Sequence, residues 1–201
     1  MSCTAENKRK FFAVYVGNGR SGHNSAFHEK YGGARMSYYS LHDNVTVFAG
    51  DREILETSAL SGHSYQQVLA ETIFGLAPRG DCKFSYRFTE VLSAGCIPVI
   101  HADDWLWPFR PELVDWNKCA VIMPEKSAGN VTLNILKSMS LEERCRRRQH
   151  CYQIFKEYVE TPVGLINGVV EGLELVAENG PKPLVGVKCS DYNYQDECNM
   201  E

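Results

Sequence analysis

No apolar run in this sequence approaches the length of a bilayer span, and Met1 to Lys10 lacks the hydrophobic stretch of a secretion signal. As written, the chain reads as a soluble protein. Positive charge is also scarce: 21 Lys and Arg against 25 Asp and Glu leave a formal charge of −4. That balance argues against a general nucleic-acid binder while permitting a local basic pocket. Eight cysteines are present, but no close Cys-x-x-Cys pair, so a structural zinc site is not expected. Internal repeats and low-complexity tracts are absent as well. What remains is 44% hydrophobic and 23% charged over 201 residues, enough to bury one sizeable core. We expect a leader at 1–9, one domain at 10–178 and a mobile polar tail at 179–201.

The most informative segment runs from Thr72 to Ile100. Thr72 to Ala77 suits a buried strand, and Pro78-Arg79-Gly80 stops it. Ser85 to Ala94 has helical periodicity with Phe88, Val91 and Leu92 inward and Ser85 as N-cap. Gly95 closes that helix, and Cys96 to Ile100 resumes as a strand. The result is a βαβ corner. Arg79 before the helix and Arg87 in its first turn would bind an anionic group at the carboxyl edge of a parallel sheet. Glu90, one turn beyond Arg87, would repel phosphate but can accept hydrogen bonds from ribose hydroxyls, so the set points to a nucleotide.

Three blocks of this segment, Pro78-Arg79-Gly80, Ser85-Tyr86-Arg87-Phe88-Thr89-Glu90 and Ala94-Gly95-Cys96-Ile97-Pro98-Val99, resemble at their spacing the signature of the exostosin-like glycosyltransferases. Trp107-Pro108-Phe109, Val114-Asp115-Trp116 and Ala120-Val121-Ile122 resemble that family's next blocks. Lys10 to Gly17 followed by Arg20 resembles its opening strand and basic loop. The resemblance spans Lys8 to Ala177, and several ordered motifs are more specific than one. It implies a GT-B-type enzyme that transfers a sugar from a nucleotide-sugar donor, a UDP-sugar, to a glycan or glycoprotein acceptor. No metal and no cofactor beyond the donor are implied. Such enzymes bind the donor in a C-terminal Rossmann-like domain, so this chain would be the donor half. An acceptor domain or a second glycosyltransferase chain is then the implied partner. The implied compartment is the Golgi lumen, whereas the residues alone, without signal or span, read as cytoplasmic. The implied donor-binding residues are Gly17, Gly19, Arg20, Arg79, Gly80, Ser85, Arg87 and Glu90. Two departures stand out: Gly75 occupies a position where relatives often carry cysteine, and Phe84 one where glycine is frequent.

The remaining pattern predicts a Rossmann-like, doubly wound parallel α/β sheet followed by a helical segment. Strands are expected at Phe11–Val16, Val45–Phe48 and Ala120–Met123, and a short helix at Ser64–Glu71. Further helices are expected at Val131–Ser138, Leu141–Glu160 and Val163–Ala177, with Thr161-Pro162 breaking the last two. A rival reading comes from Gly17-Asn18-Gly19-Arg20-Ser21-Gly22 after the first strand, with Asp51 past the second, which is a dinucleotide-binding layout. It predicts an NAD-dependent oxidoreductase. A noncatalytic nucleotide-sugar-binding module is the other alternative.

Plainer roles also fit several residues. Arg79 could pair with Asp81, Arg87 with Glu90 three residues on, and Arg144 to Arg148 could be a solvated helix face. His101-Ala102-Asp103-Asp104 reads as a turn rather than a metal site. Trp105, Trp107 and Trp116 read as core or loop anchors. Cys82, Cys96 and Cys119 are expected as buried free thiols, Cys145 and Cys151 are spaced poorly for pairing with each other, and Cys189 and Cys198 could bridge the tail. No residue can be assigned as the catalytic base.

Overall fold

Both faces of every central strand are apolar, which only a sheet covered on both sides can accommodate. The computed structural model describes residues 9–16, 47–50, 62–79, 84–103, 105–127 and 130–180. Its strands are β1 (Phe11–Val16), β2 (Val47–Gly50), β3 (Thr72–Pro78), β4 (Ile97–His101) and β5 (Val121–Met123). They form a parallel sheet in the order β2-β1-β3-β4-β5. Five helices accompany it among the described residues: α1 (Tyr65–Ala70), α2 (Arg87–Ser93), α3 (Asn130–Ser138), α4 (Leu141–Ile154) and α5 (Pro162–Asn179).

Alternation along the strands assigns the two faces. Ala13, Phe74, Leu76, Ile97, Val99, Val121 and Met123 pack against Leu133, Ile135 and Leu136 of α3. On the opposite face, Val14 and Val16 lie against Val68 and Leu69 of α1 and Val91 of α2. Ala77, Ile100 and Ile122 lie beneath Phe88 and Leu92 of α2 and Trp105 and Trp116 of the loop after β4. The sheet is therefore doubly wound, as the pattern predicts, with the chain reversing its direction of winding between β1 and β3.

Local signals set the helix ends. Ser64 accepts from Gln67 N while Gln67 Oε1 accepts from Ser64 N, a reciprocal capping box that starts α1. At the end of α2, Gly95 adopts φ 69°, Gly95 N donates to Leu92 O at 3.0 Å and Cys96 N to Val91 O at 3.2 Å. This Schellman geometry requires the left-handed conformation that glycine adopts without a Cβ penalty. The long helix expected at Leu141–Glu160 instead widens into a π turn at Phe155–Val159. Thr161 caps α5 and Pro162 opens it.

Two expectations are corrected. Cys119 is not a free thiol: it is bonded to Cys151 of α4, with a Cα–Cα distance of 4.8 Å. The pairing joins residues 32 apart in sequence that become neighbours only when α4 packs beside the turn before β5. Cys145 is disulfide-bonded too, whereas buried Cys96 is free, and burial pushes its thiol up to about 11. Nor is Arg144–Arg148 solvated throughout, although Arg146 is exposed as expected. Arg148 is buried and donates from Nε to Gly95 O at 3.0 Å, and Arg147 donates to Asn117 O and Ala120 O, each at 2.7 Å. These guanidinium groups lock α4 onto loop carbonyls left over by the sheet. Cys82, Cys189, Cys198 and the tail from residue 181 lie outside the described residues.

Removing the 119–151 cross-link with Cys119→Ser and Cys151→Ser should lower unfolding free energy by about 2–4 kcal/mol, because the open loop regains entropy in the unfolded chain. Urea denaturation of the oxidised protein and the double variant measures the difference.

Candidate functional site

In a sheet of this order, the crevice outside the carboxyl ends of β1 and β3 is where ligands bind, because the flanking connections leave in opposite directions there. Arg79 is the residue directly after β3. Its backbone N donates to His101 O at 3.0 Å, which extends the β3–β4 ladder past Pro78. Its side chain is buried, with Nη1 3.9 Å from Glu125 Oε1. A partner among the described residues is Glu125, from the turn after β5, and Asp81 lies outside the described residues. Asp103 Oδ1 accepts from Glu125 N at 3.1 Å and so helps hold that turn. The turn expected from His101 begins later: His101 still belongs to β4, only Ala102 and Asp103 leave the strand, and Asp104 lies outside the described residues. Among the described residues no group of three or more His, Cys, Asp or Glu is placed to hold a metal.

Arg87 opens α2 and reaches across the edge to β1, where its Cζ stands 5.0 Å from the centre of the Tyr15 ring. Contact with the negative ring face holds the guanidinium without consuming its N–H groups. Among the described residues, Arg87 Nε is buried and has no hydrogen-bond partner. Glu90 is one turn further along and exposed, and its Oε2 accepts from Tyr65 OH at 3.0 Å. Glu90 is therefore held by Tyr65 rather than by Arg87. Burial pushes the Tyr65 phenol well above its ordinary range, the nearby Arg87 charge opposes that, and Glu90 reinforces it. Arg87, Glu90, Tyr65 and Tyr15 thus converge from α2, α1 and β1.

Ser85 differs from its expected place. Tyr86 is the N-cap residue, while Ser85 Oγ accepts from Arg87 N at 3.3 Å and Ser85 O from Phe88 N at 3.0 Å. Ser85 still satisfies amides of the first turn, one position earlier than the pattern predicts. Gly17, Gly19, Arg20 and Gly80 lie outside the described residues, as do Gly22 and Asp51 of the dinucleotide layout. Tyr15, Tyr65 and Glu125 were missed. Nothing marked Tyr65 or Glu125 in sequence, since each meets its partner only through strand order.

The other flank of α2 borders an open cleft of about 390 Å³, lined by residues 84–86, 88, 89 and 105–108. Phe88 anchors it with ring centroids 6.0 Å from Trp105, 5.8 Å from Trp107 and 5.0 Å from Trp116. Trp105 and Trp116 are buried anchors, as expected, whereas Tyr86 remains 78% exposed at the rim. Phe84 also lines the rim, in edge contact with Tyr86 at 5.3 Å.

Residues 3–139 match the family model described as the Exostosin GT47 domain. The chain belongs to the exostosin family. It is 29% identical over 164 residues to the Exostosin-1 homolog of Caenorhabditis elegans, covering 78% of this chain and 42% of that protein. It is 33% identical to Exostosin-1 of Drosophila melanogaster over 48% of this chain and 12% of that one. With human Exostosin-2 it shares 32% identity over 48% of this chain and 14% of the relative. The chain thus spans less than half the length of these curated exostosins. A solved structure of the GtfA/B complex aligns with 85% of this chain and 37% of that one, at TM-score 0.44 and 15% identity. The exostosin match includes every described strand together with Arg79, Arg87 and Glu90.

Two measurements probe how this exostosin site is held. A Cβ on Gly75 of β3 would lie 2.9 Å from Val91 Cβ and closer still to its methyl groups. Gly75→Ala must therefore displace α2, and should lower thermal stability, as scanning calorimetry would measure. His101 is fully buried; its Nε2 donates to Thr132 Oγ1 at 2.7 Å, and Thr132 Oγ1 donates to Ser127 O at 2.8 Å. Burial lowers its pKa from 6.5 to about 3. The folded state keeps it neutral while the unfolded chain takes up a proton below about 6.5, so this contribution is complete above that pH and is lost as pH falls toward 3. Denaturation from pH 7 to 4 should show a shallower acid decline in His101→Gln than in the parent.

Proposed function

We propose that this chain is the donor-binding part of a glycosyltransferase that moves a sugar from a nucleotide-sugar donor, a UDP-sugar, to a glycan or glycoprotein acceptor. The observation that carries the reading is Arg87: a guanidinium aimed across the β1/β3 switch point, braced on Tyr15, with a buried Nε–H that has no acceptor among the described residues. A diphosphate is an anion of the right chemistry for it. Arg79, directly after β3, would share its charge between Glu125 and the same diphosphate.

The chemistry follows from where charge develops. Breaking the bond between sugar and diphosphate leaves negative charge on the departing oxygen, and fixed cations lower the energy of that state more than they lower the bound ground state. Arg87 and Arg79 act as this sink, and the sequence motifs add Arg20, Gly17, Gly19 and Gly80 as further candidate donor contacts. Ser85 keeps the first turn of α2 in place. Glu90 has one carboxylate oxygen on Tyr65 and its other oxygen available for sugar hydroxyls. The base that deprotonates the acceptor comes from another domain or a partner chain. The buried Cys119–Cys151 bond favours an oxidising compartment, in line with a Golgi lumenal enzyme.

Titration calorimetry with UDP, UDP-sugars and NAD tests this. UDP should bind, and Arg87→Ala and Arg79→Ala should each weaken it about tenfold or more, the loss expected for a charge-assisted hydrogen bond. Unchanged UDP affinity in both folded variants, or NAD binding indifferent to them, would refute the donor site.

A further inference from the structure

Helix α5 is built inside out. Gly164 and Gly168 are its buried residues, and a Cβ on Gly168 would meet Phe109 Cε1 at 2.6 Å. Its large apolar side chains point the other way: Val163, Ile166, Val169, Val170 and Leu173 are 66, 62, 56, 45 and 64% exposed. Their helical spacing makes one continuous stripe with the composition of a packed seam. The helix also lies beyond residues 3–139, so the stripe is not part of the matched exostosin segment.

Sequence symmetry and charge indicate the occupant. Around the midpoint between Val169 and Val170 the stripe reads the same in both directions: Ile166 mirrors Leu173, and Val163 mirrors Val176. An antiparallel copy related by a two-fold axis at that midpoint would set Val169 against Val170, Ile166 against Leu173 and Val163 against Val176, the self-complementarity an isologous interface needs. The helix has no basic residue and no acid in its first turn, while Glu171, Glu174 and Glu178 fall in its second half. Acids near a helix carboxyl end oppose its macrodipole. Antiparallel pairing brings Glu174 and Glu178 toward the positive amino end of the partner helix, whereas parallel pairing would gather the acids together.

We propose that the outward face of α5 is a homodimer interface, in which a second copy of this chain packs antiparallel along the Val163–Val176 stripe. Sedimentation velocity of the full chain over a concentration series should show a reversible dimer. The double variant Ile166→Asp, Leu173→Asp should raise its dissociation constant at least about tenfold. At concentrations where both proteins are monomeric the thermal transition should stay unchanged, because in the single chain these side chains already face water. Under mild oxidation, Val170→Cys should cross-link to its partner copy and Val163→Cys should not. If the double variant fails to fold, Leu173→Ser alone gives the same readout with a smaller shift. A chain that stays monomeric up to about 100 µM overturns the proposal. So does a dimer insensitive to these substitutions, cross-linking through Val163→Cys instead, or a large fall in thermal stability for Leu173→Ser, which would mean that the chain itself already covers the face. A different polypeptide that binds α5 while this chain remains monomeric would overturn it as well.

Discussion

The contact between Val91 and the bare α-carbon of Gly75 sets the depth at which α2 lies on the sheet. Each functional element on that helix is referred to this depth. Phe88, three residues before Val91, turns into the aromatic cluster, while Arg87 extends to Tyr15 and Glu90 to Tyr65. A larger residue in β3 would lift the helix and move all of these together, since seven residues offer no second anchor long enough to absorb the shift. Any residue with a Cβ here, cysteine included, would need a helix seated farther out. The Schellman close at Gly95 then returns the chain to β4 at the same depth.

A second network ties the strand ends together. Arg79 extends β3 against His101, Glu125 from beyond β5 meets Arg79, and Asp103 holds the Glu125 amide. His101 below them is neutral and spends its Nε2–H on Thr132, which passes its own proton to Ser127 O. These bonds span β3, β4, β5 and the start of α3, so the edge that would face a nucleotide is fixed from beneath. Buried polar groups can do this where they are hydrogen-bonded to one another, as His101, Thr132 and Ser127 are here. Arg9 does the same at the opposite edge, donating to Leu69 O, Thr72 O and Ala94 O.

Much of the fold was legible in the residues. Apolar runs at Phe11–Val16, Thr72–Ala77 and Cys96–Ile100, each short and bounded by turn or helix signals, suit buried strands, and Gly95 and Thr161-Pro162 punctuate helices through backbone chemistry that needs no tertiary context. Arg87 and Glu90 were legible because a turn and a short helix place them at one sheet edge. The cysteine and arginine roles on α4 were not. Whether Cys119 finds Cys151, or Arg148 finds Gly95 O, depends on how a distant helix lies across the sheet, and local periodicity carries no information about that. The π turn at Phe155–Val159 was equally hidden, since an extra residue in a helical turn leaves the hydrophobic pattern almost intact.

By itself the sequence determined the α/β class, the β3-α2-β4 corner, the stops at Gly95 and Thr161-Pro162 and the motifs that place the chain in the exostosin family, because each is written in contiguous residues. Tertiary structure alone decided the partners: Tyr15 beneath Arg87, Tyr65 on Glu90, Glu125 on Arg79, Cys151 on Cys119 and the outward turn of the α5 stripe. The physical reason is common to all five. Such contacts join segments whose separation along the chain is unrelated to their separation in space, and only strand order and helix packing set the latter.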